Sequence, residues 1–211
     1  ELVRAIYGAD KPDGGELYVK GEKLDVKAPI DAMHKGMAYC PEDRKVEGII
    51  ADLSVRENMI LALQAKRGMF KLMSRKEQEE LTDKYIKMLQ VKTASRETPI
   101  KSLSGGNQQK AIIAREVEQD SSLMIFVQPT RGLDIGAIEN IHKQIIAERD
   151  KGKAILLISL ELDEIMNCAD TIAVIYNGSI QKIAKASELT TNEVGEFMTV
   201  SYTHLRAHET D

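Results

Sequence analysis

The most informative part of the sequence is a serine–glycine loop followed by a helix and a buried strand. The loop and the start of the helix are Leu103-Ser104-Gly105-Gly106-Asn107-Gln108-Gln109-Lys110, and the strand is Leu123-Met124-Ile125-Phe126-Val127. Ser104 supplies a hydroxyl, and the two glycines allow backbone N–H groups to approach a ligand before the helix begins. The N-terminus of a helix carries a partial positive charge and unpaired donors, so this loop suits a phosphate. The alternative is that Ser104 only caps the helix, as Ser54 and Ser74 are expected to do for theirs.

Apolar runs on either side of this stretch alternate with helical patterns. Met37–Cys40 is a short buried run, and 154–159 and 171–176 are β-branched runs, apolar on both faces, that are typical of parallel strands. Between the strand at 123–127 and the run at 154–159, the sequence predicts a helix with Ile138, Ile141 and Ile145 on its inner face. This alternation of strands and helices predicts an α/β fold with a parallel sheet.

The segment before the loop contains helices and no predicted strand. Ser54 and Glu57 form one capping box, and Ser74 and Glu77 form a second, so a helix is expected to follow each serine. These patterns predict a helical segment over about 53–100.

The N-terminal region predicts a helix and a hairpin. Glu1–Tyr7 has a buried helical pattern that Gly8 ends, and no capping residue precedes it, so we expect the chain to begin inside a helix. Glu16–Leu24 alternates between apolar and polar residues around Gly21, which is typical of a hairpin.

Composition and charge exclude several classes of protein. The 211 residues include 29 basic and 33 acidic side chains, a net charge of -4, so the bulk charge does not attract nucleic acid. The longest aliphatic run, 154–160, is far shorter than the roughly 20 residues of a membrane helix. Cys40 and Cys168 form neither a disulfide framework nor a metal-ligand spacing, which fits a reducing cytosol.

The last residues differ from the rest of the chain. The segment 199–211 has no apolar periodicity, and from Val200 it resembles the translation of a transposase-based sequencing adapter, so we expect a non-native tail there. His204 and His208 lie four residues apart, but no third ligand accompanies them, and the sequence therefore predicts no metal site.

With these motifs in this order, the chain resembles the nucleotide-binding subunits of ABC transporters. The loop at 103–110 is similar to their signature motif, Thr130–Asp134 to the D-loop after their Walker B strand, and Pro41–Arg44 to their Q-loop. The resemblance runs from Glu1 to about Met198. It implies a partial nucleotide-binding domain at 1–198 with the P-loop NTPase fold, an α/β three-layer sandwich with an inserted helical subdomain at about 53–100.

The chemistry of this family is carried over position by position. The resemblance implies that ATP and Mg²⁺ bind in the complete assembly and that the signature residues contact the nucleotide. Those residues are Ser104, Gly105, Gly106, Asn107 and Gln108. Asp134 is then expected to bridge two nucleotide-binding domains, and Glu42 and Arg44 lie in the Q-loop, where such a subunit couples to its permease.

A closer resemblance is to the second ATPase half of sugar importers in which two nucleotide-binding domains are fused. It rests on Cys40-Pro41-Glu42-Asp43-Arg44-Lys45 and Ser54-Val55-Arg56-Glu57-Asn58. Glu1-Leu2 resembles the residues just beyond the phosphate loop of that half, so we expect an N-terminally truncated domain whose Walker A motif lies upstream.

This closer resemblance also implies partners. They are the first nucleotide-binding half of the same polypeptide or a second copy, membrane-spanning permease subunits and, indirectly, a periplasmic or extracellular solute-binding protein. The expected location is the cytoplasmic face of the plasma membrane, peripheral to the bilayer, and no nucleic-acid partner is expected.

Several positions depart from a hydrolytic member of the family. Where such members end the Walker B strand in Asp-Glu, this chain has Val127, which cannot ligate a metal, and Gln128, which can orient water but not take its proton. Leu160 stands at the position of the switch His, and Glu42 at that of the Q-loop Gln. We therefore expect no intact catalytic residue and no activity in the chain alone. Ser104 and its neighbours would instead complete the ATP site of the other half.

Other interpretations stay open. One alternative is a soluble ABC-type ATPase of translation or DNA repair, which has no membrane partner but usually keeps the carboxylate pair. Another is an inactive, truncated domain. Gln128 and 157–164 resemble nucleoside importers, whereas 16–103 resembles galactofuranose-type sugar importers. The chain is then either a single divergent gene or a chimera joined within 103–110, and the solute could be a pentose, a hexose or a nucleoside.

Overall fold

Residues 1–68 and 70–199 are described by the computed structural model, which divides into two units, Glu1–Leu156 and a second unit that begins at Leu157. The first unit opens with a short helix and a hairpin, as predicted. Its first elements are α1 (Leu2–Ile6), β1 (Leu17–Val19), β2 (Glu22–Leu24), α2 (Pro29–His34) and β3 (Met37–Cys40). Strands β1 and β2 pair antiparallel, and Lys20 and Gly21 make the turn with φ of 54° and 78°, a pair of left-handed residues that matches the twist of the strands.

The helical segment follows the predicted capping residues. Helix α3 spans Val55–Arg67 and α4 spans Arg75–Met88. The Ser54 hydroxyl accepts the Glu57 N–H at 3.2 Å, and the Ser74 hydroxyl accepts the Glu77 N–H at 3.3 Å. Each serine therefore satisfies a donor that the helix itself leaves unpaired.

The sheet of the first unit brings the ends of two distant segments together. Helix α5 spans Gly105–Glu118, β4 spans Leu123–Val127, α6 spans Ile135–Asp150 and β5 spans Ala154–Ile158. Strands β3 and β4 pair in parallel, from Met37 opposite Leu123 to Cys40 opposite Phe126, and the strand order is β3-β4-β5. The turns after Cys40 and after Val127 therefore lie at the same edge of the sheet.

One predicted strand pairing is wrong. In the second unit, α7 (Leu162–Cys168) is followed by β6 (Thr171–Tyr176), β7 (Ser179–Lys185) and α8 (Thr191–Phe197). The run at 171–176 was expected in the parallel sheet, but β6 pairs antiparallel with β7. The reason is the turn between them: Asn177 and Gly178 have φ of 46° and 75°, which folds the chain directly back. Ile172, Val174 and Val194 form the core of this unit.

The predicted tail lies almost wholly outside the described residues. Thr199 is the last of them, so the expected non-native segment from Val200 onwards, with His204 and His208, receives no structural account. Within the described part of the chain, no helix has the length and apolar character that spanning a membrane requires.

Candidate functional site

The serine–glycine loop ends in an exposed hydroxyl at the first turn of α5. Ser104 occupies the N-cap position of the helix, with φ of -61° and ψ of 155°. Among the described residues, its hydroxyl receives no capping hydrogen bond from a backbone N–H, unlike the hydroxyls of Ser54 and Ser74. It accepts instead from the side-chain amide Nδ2 of Asn107 at 2.9 Å. The capping interpretation of Ser104 therefore does not describe this loop.

Two amide side chains fix the shape of the loop from behind. The Asn107 Oδ1 accepts the backbone N–H of Lys92 at 2.8 Å. Gln108 is 6% exposed, and its Nε2 donates to the carbonyl oxygens of Ile100 and Leu103 at 3.2 and 3.1 Å. The Gln108 side chain, predicted as a nucleotide contact, thus points into the protein and supports the backbone of the loop.

Asp134 lies beside the loop at the start of α6. Its Oδ1 accepts the backbone N–H of Ala137 at 2.9 Å and so caps that helix. A Cβ added to Gly106 would lie 3.2 Å from the Ala137 Cβ and 3.8 Å from the Asp134 Oδ2. The glycine at 106 therefore allows the start of α6 to approach the start of α5 closely.

These residues line a cavity of about 300 Å³. Its wall includes Ser104, Gly106, Asn107, Lys110 and Asp134. The Lys110 Nζ donates to the Gln90 carbonyl oxygen at 3.3 Å. Burial lowers the pKa of Lys110, and the carboxylate of Asp134 opposes that shift. The cavity thus combines the start of a helix with an ammonium and a carboxylate.

The turn after β3 is attached to the turn after β4 through two arginines. The Arg44 Nη1 donates to the backbone carbonyl oxygen of Arg131 at 2.9 Å, and the Arg131 guanidinium forms an ion pair with Glu42. A Cβ added to Gly105 would lie 3.3 Å from the Arg44 Nη2. The predicted residues Glu42, Arg44 and Gly105 are therefore brought together, with Arg131 as a link that the sequence did not indicate.

Two of the predicted departures from a hydrolytic site, Val127 and Gln128, are buried at the end of β4. Val127 is 7% exposed and Gln128 is 6% exposed, and Gln128 has a φ of 49°, in the left-handed region. Val127, Glu42 and Arg131 line a second cavity, of about 670 Å³. Within residues 1–68 and 70–199, no three His, Cys, Asp or Glu side chains are grouped so that they could hold a metal ion. In the second unit, Leu160 has a side chain 69% exposed.

A buried ion pair on α5 was missed in the sequence. Arg115 and Glu116 are 8% and 4% exposed, and the Arg115 Nε donates to the Glu116 Oε1 at 2.8 Å. The Glu116 Oε2 also accepts the backbone N–H of Tyr39 at 3.3 Å. The available signal was two adjacent charges within the Ile- and Ala-rich face of a helix, because arginine and glutamate are almost never buried unless paired.

Comparison with known proteins gives one family. A sequence profile described as "ABC transporter" matches residues 1–131. The fructose import ATP-binding protein FruK of Bifidobacterium longum (strain NCC 2705) is 45% identical over 175 residues, which are 83% of this chain and 34% of that protein. The guanosine import ATP-binding protein NupO of Bacillus subtilis (strain 168) is 40% identical over 200 residues, 94% of this chain and 39% of that protein. The chain thus spans little more than a third of the length of these relatives.

Solved structures agree on the fold. The dimeric ATP-binding cassette MJ0796, in a post-hydrolysis state bound to ADP and Pi, superimposes with a TM-score of 0.75 at 23% identity, covering 88% of this chain and 79% of that one. The prediction of a mixed α/β fold of the P-loop NTPase type is thereby confirmed.

Proposed function

The chain belongs to the ABC transporter family, and on that premise we propose that it is a nucleotide-binding part of an importer for sugars or nucleosides. In this proposal the loop at Ser104–Gly106 contacts the phosphates of an ATP molecule that a second nucleotide-binding domain holds. That second domain is the other half of the same polypeptide or a second copy of the chain. The attached permease subunits lie in the membrane, a solute-binding protein delivers the solute, and the chain acts at the cytoplasmic face.

The observation that carries this proposal is that the Ser104 hydroxyl, although at the N-cap, accepts no capping hydrogen bond from a backbone N–H of α5. A helix usually satisfies a first-turn N–H with its N-cap side chain, and α3 and α4 do so through Ser54 and Ser74. The Ser104 hydroxyl is instead exposed and bonded only to a neighbouring amide in the described structure. The first-turn donors of α5 are therefore available to an anion, to which the partial positive charge of the helix end also contributes.

The residues at the end of β4 do not suit a magnesium ion. Mg²⁺ needs oxygen ligands in near-octahedral geometry. Val127 offers no such oxygen, and the Glu42 carboxylate is already paired with the Arg131 guanidinium. These residues do not fit the ion, so we assign no magnesium-dependent step to this chain's own site.

The same residues support a site that lacks its general base. Gln128 can donate and accept hydrogen bonds, so it can orient a water molecule, but an amide cannot take a proton from water at neutral pH. The hydrolysis that drives transport is therefore assigned to the site that Ser104 completes. The resulting importer is asymmetric, with one site that hydrolyses ATP and one that does not.

The test is the rate of ATP hydrolysis by the importer assembled with its other nucleotide-binding domain and permease. Ser104→Ala is expected to lower turnover by about tenfold or more, because a donor positioned at developing charge contributes at least that much. Ser74→Ala is the matched control, since it makes the same chemical change at a serine that only caps a helix. Gln128→Ala is expected to leave turnover within about twofold, as no proton transfer depends on it.

Two results would contradict the proposal. Unchanged ATP turnover in Ser104→Ala would show that Ser104 makes no functional contact with the nucleotide. A large loss of turnover in Gln128→Ala would show that the site at the end of β4 hydrolyses ATP. Uptake of labelled sugars and of labelled nucleosides by the same importer decides the solute class, for which relatives named for fructose and for guanosine give the two candidates.

A further inference from the structure

One glutamine of α3 bonds to residues near both ends of the connection between α3 and α4. Gly68 ends α3 with a φ of 85°. The Gln64 Nε2 donates to the Gly68 carbonyl oxygen at 3.2 Å, and the Gln64 Oε1 accepts the backbone N–H of Met73 at 2.9 Å. Met73 itself is only 4% exposed, so its side chain anchors the C-terminal end of the connection in the protein.

This anchored connection exposes two large apolar side chains. Phe70 is 99% exposed and Leu72 is 75% exposed, and no other large apolar side chain in the described part of the chain is as exposed as Phe70. An isolated exposed leucine needs no explanation. A phenylalanine that is almost entirely exposed to water, beside a second exposed apolar residue, indicates a surface that meets an apolar environment.

The sequence on either side of these two residues is basic. The stretch from 66 to 76 contains five basic residues and no acidic one; the basic residues are Lys66, Arg67, Lys71, Arg75 and Lys76. Arg67 pairs with Glu77 at 2.5 Å and Arg75 with Glu79 at 2.7 Å, so these two charges are compensated.

The remaining positive charge lies next to the apolar residues. Lys71 stands between Phe70 and Leu72 in sequence and has no acidic partner among the described residues. Lys76 is 86% exposed and forms an ion pair with Glu80 at 3.8 Å, so its charge is compensated as well. The tip of the connection is thus both apolar and cationic.

We propose that Phe70, Lys71 and Leu72, which we name the 70–72 tip, contact an anionic lipid surface. Aromatic and aliphatic side chains that stand out from a turn can enter the headgroup layer, while neighbouring lysines remain at the phosphates. An anionic leaflet strengthens binding roughly fivefold for each basic residue close to it. The tip would add a direct lipid contact to the indirect one made through a permease.

A protein partner is the other candidate, and the geometry favours lipid. A helix or peptide partner docks into a groove with apolar walls, whereas Phe70 and Leu72 are exposed on a turn and neither lines a cavity described above. A fluid headgroup layer adapts to two protruding side chains without a complementary pocket. The proposal is independent of the nucleotide site, and its test uses no nucleotide.

The chain contains no tryptophan, so a single one introduced at the tip reports on its surroundings. In the full chain, Phe70→Trp is expected to show blue-shifted emission on adding phosphatidylcholine–phosphatidylglycerol vesicles, and quenching when the lipids carry bromine near the headgroups. With one unpaired lysine at the tip, partitioning is expected to be about fivefold stronger than to phosphatidylcholine alone. The matched control is Tyr18→Trp, at an aromatic residue 56% exposed on the β1–β2 hairpin, and its emission is expected to stay unchanged.

Charge reversal at the tip gives a second measurement. Lys71→Glu in the Phe70→Trp chain is expected to weaken partitioning about 25-fold, since one attraction is lost and one repulsion gained. Lys20→Glu in the same background makes the same change on the hairpin and should leave partitioning unaltered. Because Phe70 is almost fully exposed, these variants are expected to keep the far-ultraviolet circular dichroism of the parent chain.

Three outcomes would overturn the proposal. They are no shift in the emission of a tryptophan at position 70 with anionic vesicles, an equal shift at position 18, or partitioning that is the same with and without Lys71→Glu. An acidic protein as the true partner would produce the first of these. None of them affects the assignment of Ser104, which is tested by ATP turnover.

Discussion

The Arg115 guanidinium donates to the carbonyl oxygen of Gly48 at 2.8 Å, across 67 residues of sequence. Arg115 lies in the helix that begins at the serine–glycine loop, and Gly48 ends the π-helical turn Arg44–Gly48 that follows β3. A movement of that turn therefore acts directly on the helix that presents Ser104. Because this hydrogen bond is buried, substitutions at Arg115 are expected to change the free energy of unfolding by a measurable amount.

Arg115→Met is expected to lower the free energy of unfolding by about 3–5 kcal/mol, because it leaves the Glu116 carboxylate buried without its charged partner. Arg115→Met combined with Glu116→Gln should recover most of this loss, since the glutamine still accepts the Tyr39 N–H. Urea denaturation measures both variants. A double variant as unstable as the single one would mean that the uncompensated charge is not the cause.

Gly48→Ala tests the close approach between the turn and the helix. The added Cβ would lie 2.7 Å from the Cδ1 of Ile112, which is 2% exposed and cannot move into solvent. Such overpacking is expected to lower the free energy of unfolding by about 1–3 kcal/mol. Adding Ile112→Val removes the clashing methyl group, so the double variant should be more stable than Gly48→Ala alone. If it is less stable, the steric explanation is wrong.

Alanine substitutions at Ser54 and Ser104 are expected to differ in their effect on the stability of the protein. Ser54→Ala removes a cap that accepts the Glu57 N–H and should lower the free energy of unfolding by about 1 kcal/mol. Ser104→Ala removes no cap and should change it by less than about 0.5 kcal/mol. Thermal or urea unfolding of the two variants compares them. Equal losses would restore the capping interpretation of Ser104.

The stability of the first unit is expected to depend on acid through Glu148. Burial alone would raise the pKa of this fully buried carboxyl, but Lys151 and Lys153 hold it below the usual 4.5, with ion pairs at 2.6 and 2.8 Å. A lowered pKa in the folded state stabilises the protein above the ordinary pKa, and the contribution is lost as the pH falls through the folded value.

The Glu148→Gln variant makes this dependence visible. It should be less stable than the parent chain at pH 7, and the difference in urea midpoint should narrow as the pH falls below about 4.5. A difference that stays constant between these conditions would show that Glu148 contributes through its shape and not its charge. Glu139, which is exposed on the same helix, supplies the control substitution Glu139→Gln.

Local features were predictable because their signals are local. The capping boxes at Ser54 and Ser74, the hairpin around Gly21 and the buried runs at β3 and β4 each depend on residues within a few positions of one another. The pairing of β6 was not predictable in this way, because an apolar run indicates that a strand is buried but not which strand it pairs with. The signal that could have placed it was the Asn177-Gly178 turn.

The residues of the candidate site divide in the same way. The motif at Ser104–Gly106 and the departures at Val127 and Gln128 were predicted from the sequence because such residues occupy fixed positions within a known pattern. The inward direction of Gln108 could not, because it depends on the carbonyl oxygens of Ile100 and Leu103. The pairing of Arg131 with Glu42 joins residues 89 positions apart.

Sequence patterns predicted many of the helices and strands, the caps at Ser54 and Ser74, the serine–glycine loop and the family to which the chain belongs, but not β7. The tertiary structure was needed to show which charges are paired, which serine leaves its helix uncapped, and that Phe70 is exposed to solvent. The physical reason is that periodicity and propensity act over one or two turns of backbone, whereas ion pairs and burial depend on segments that the fold alone brings together.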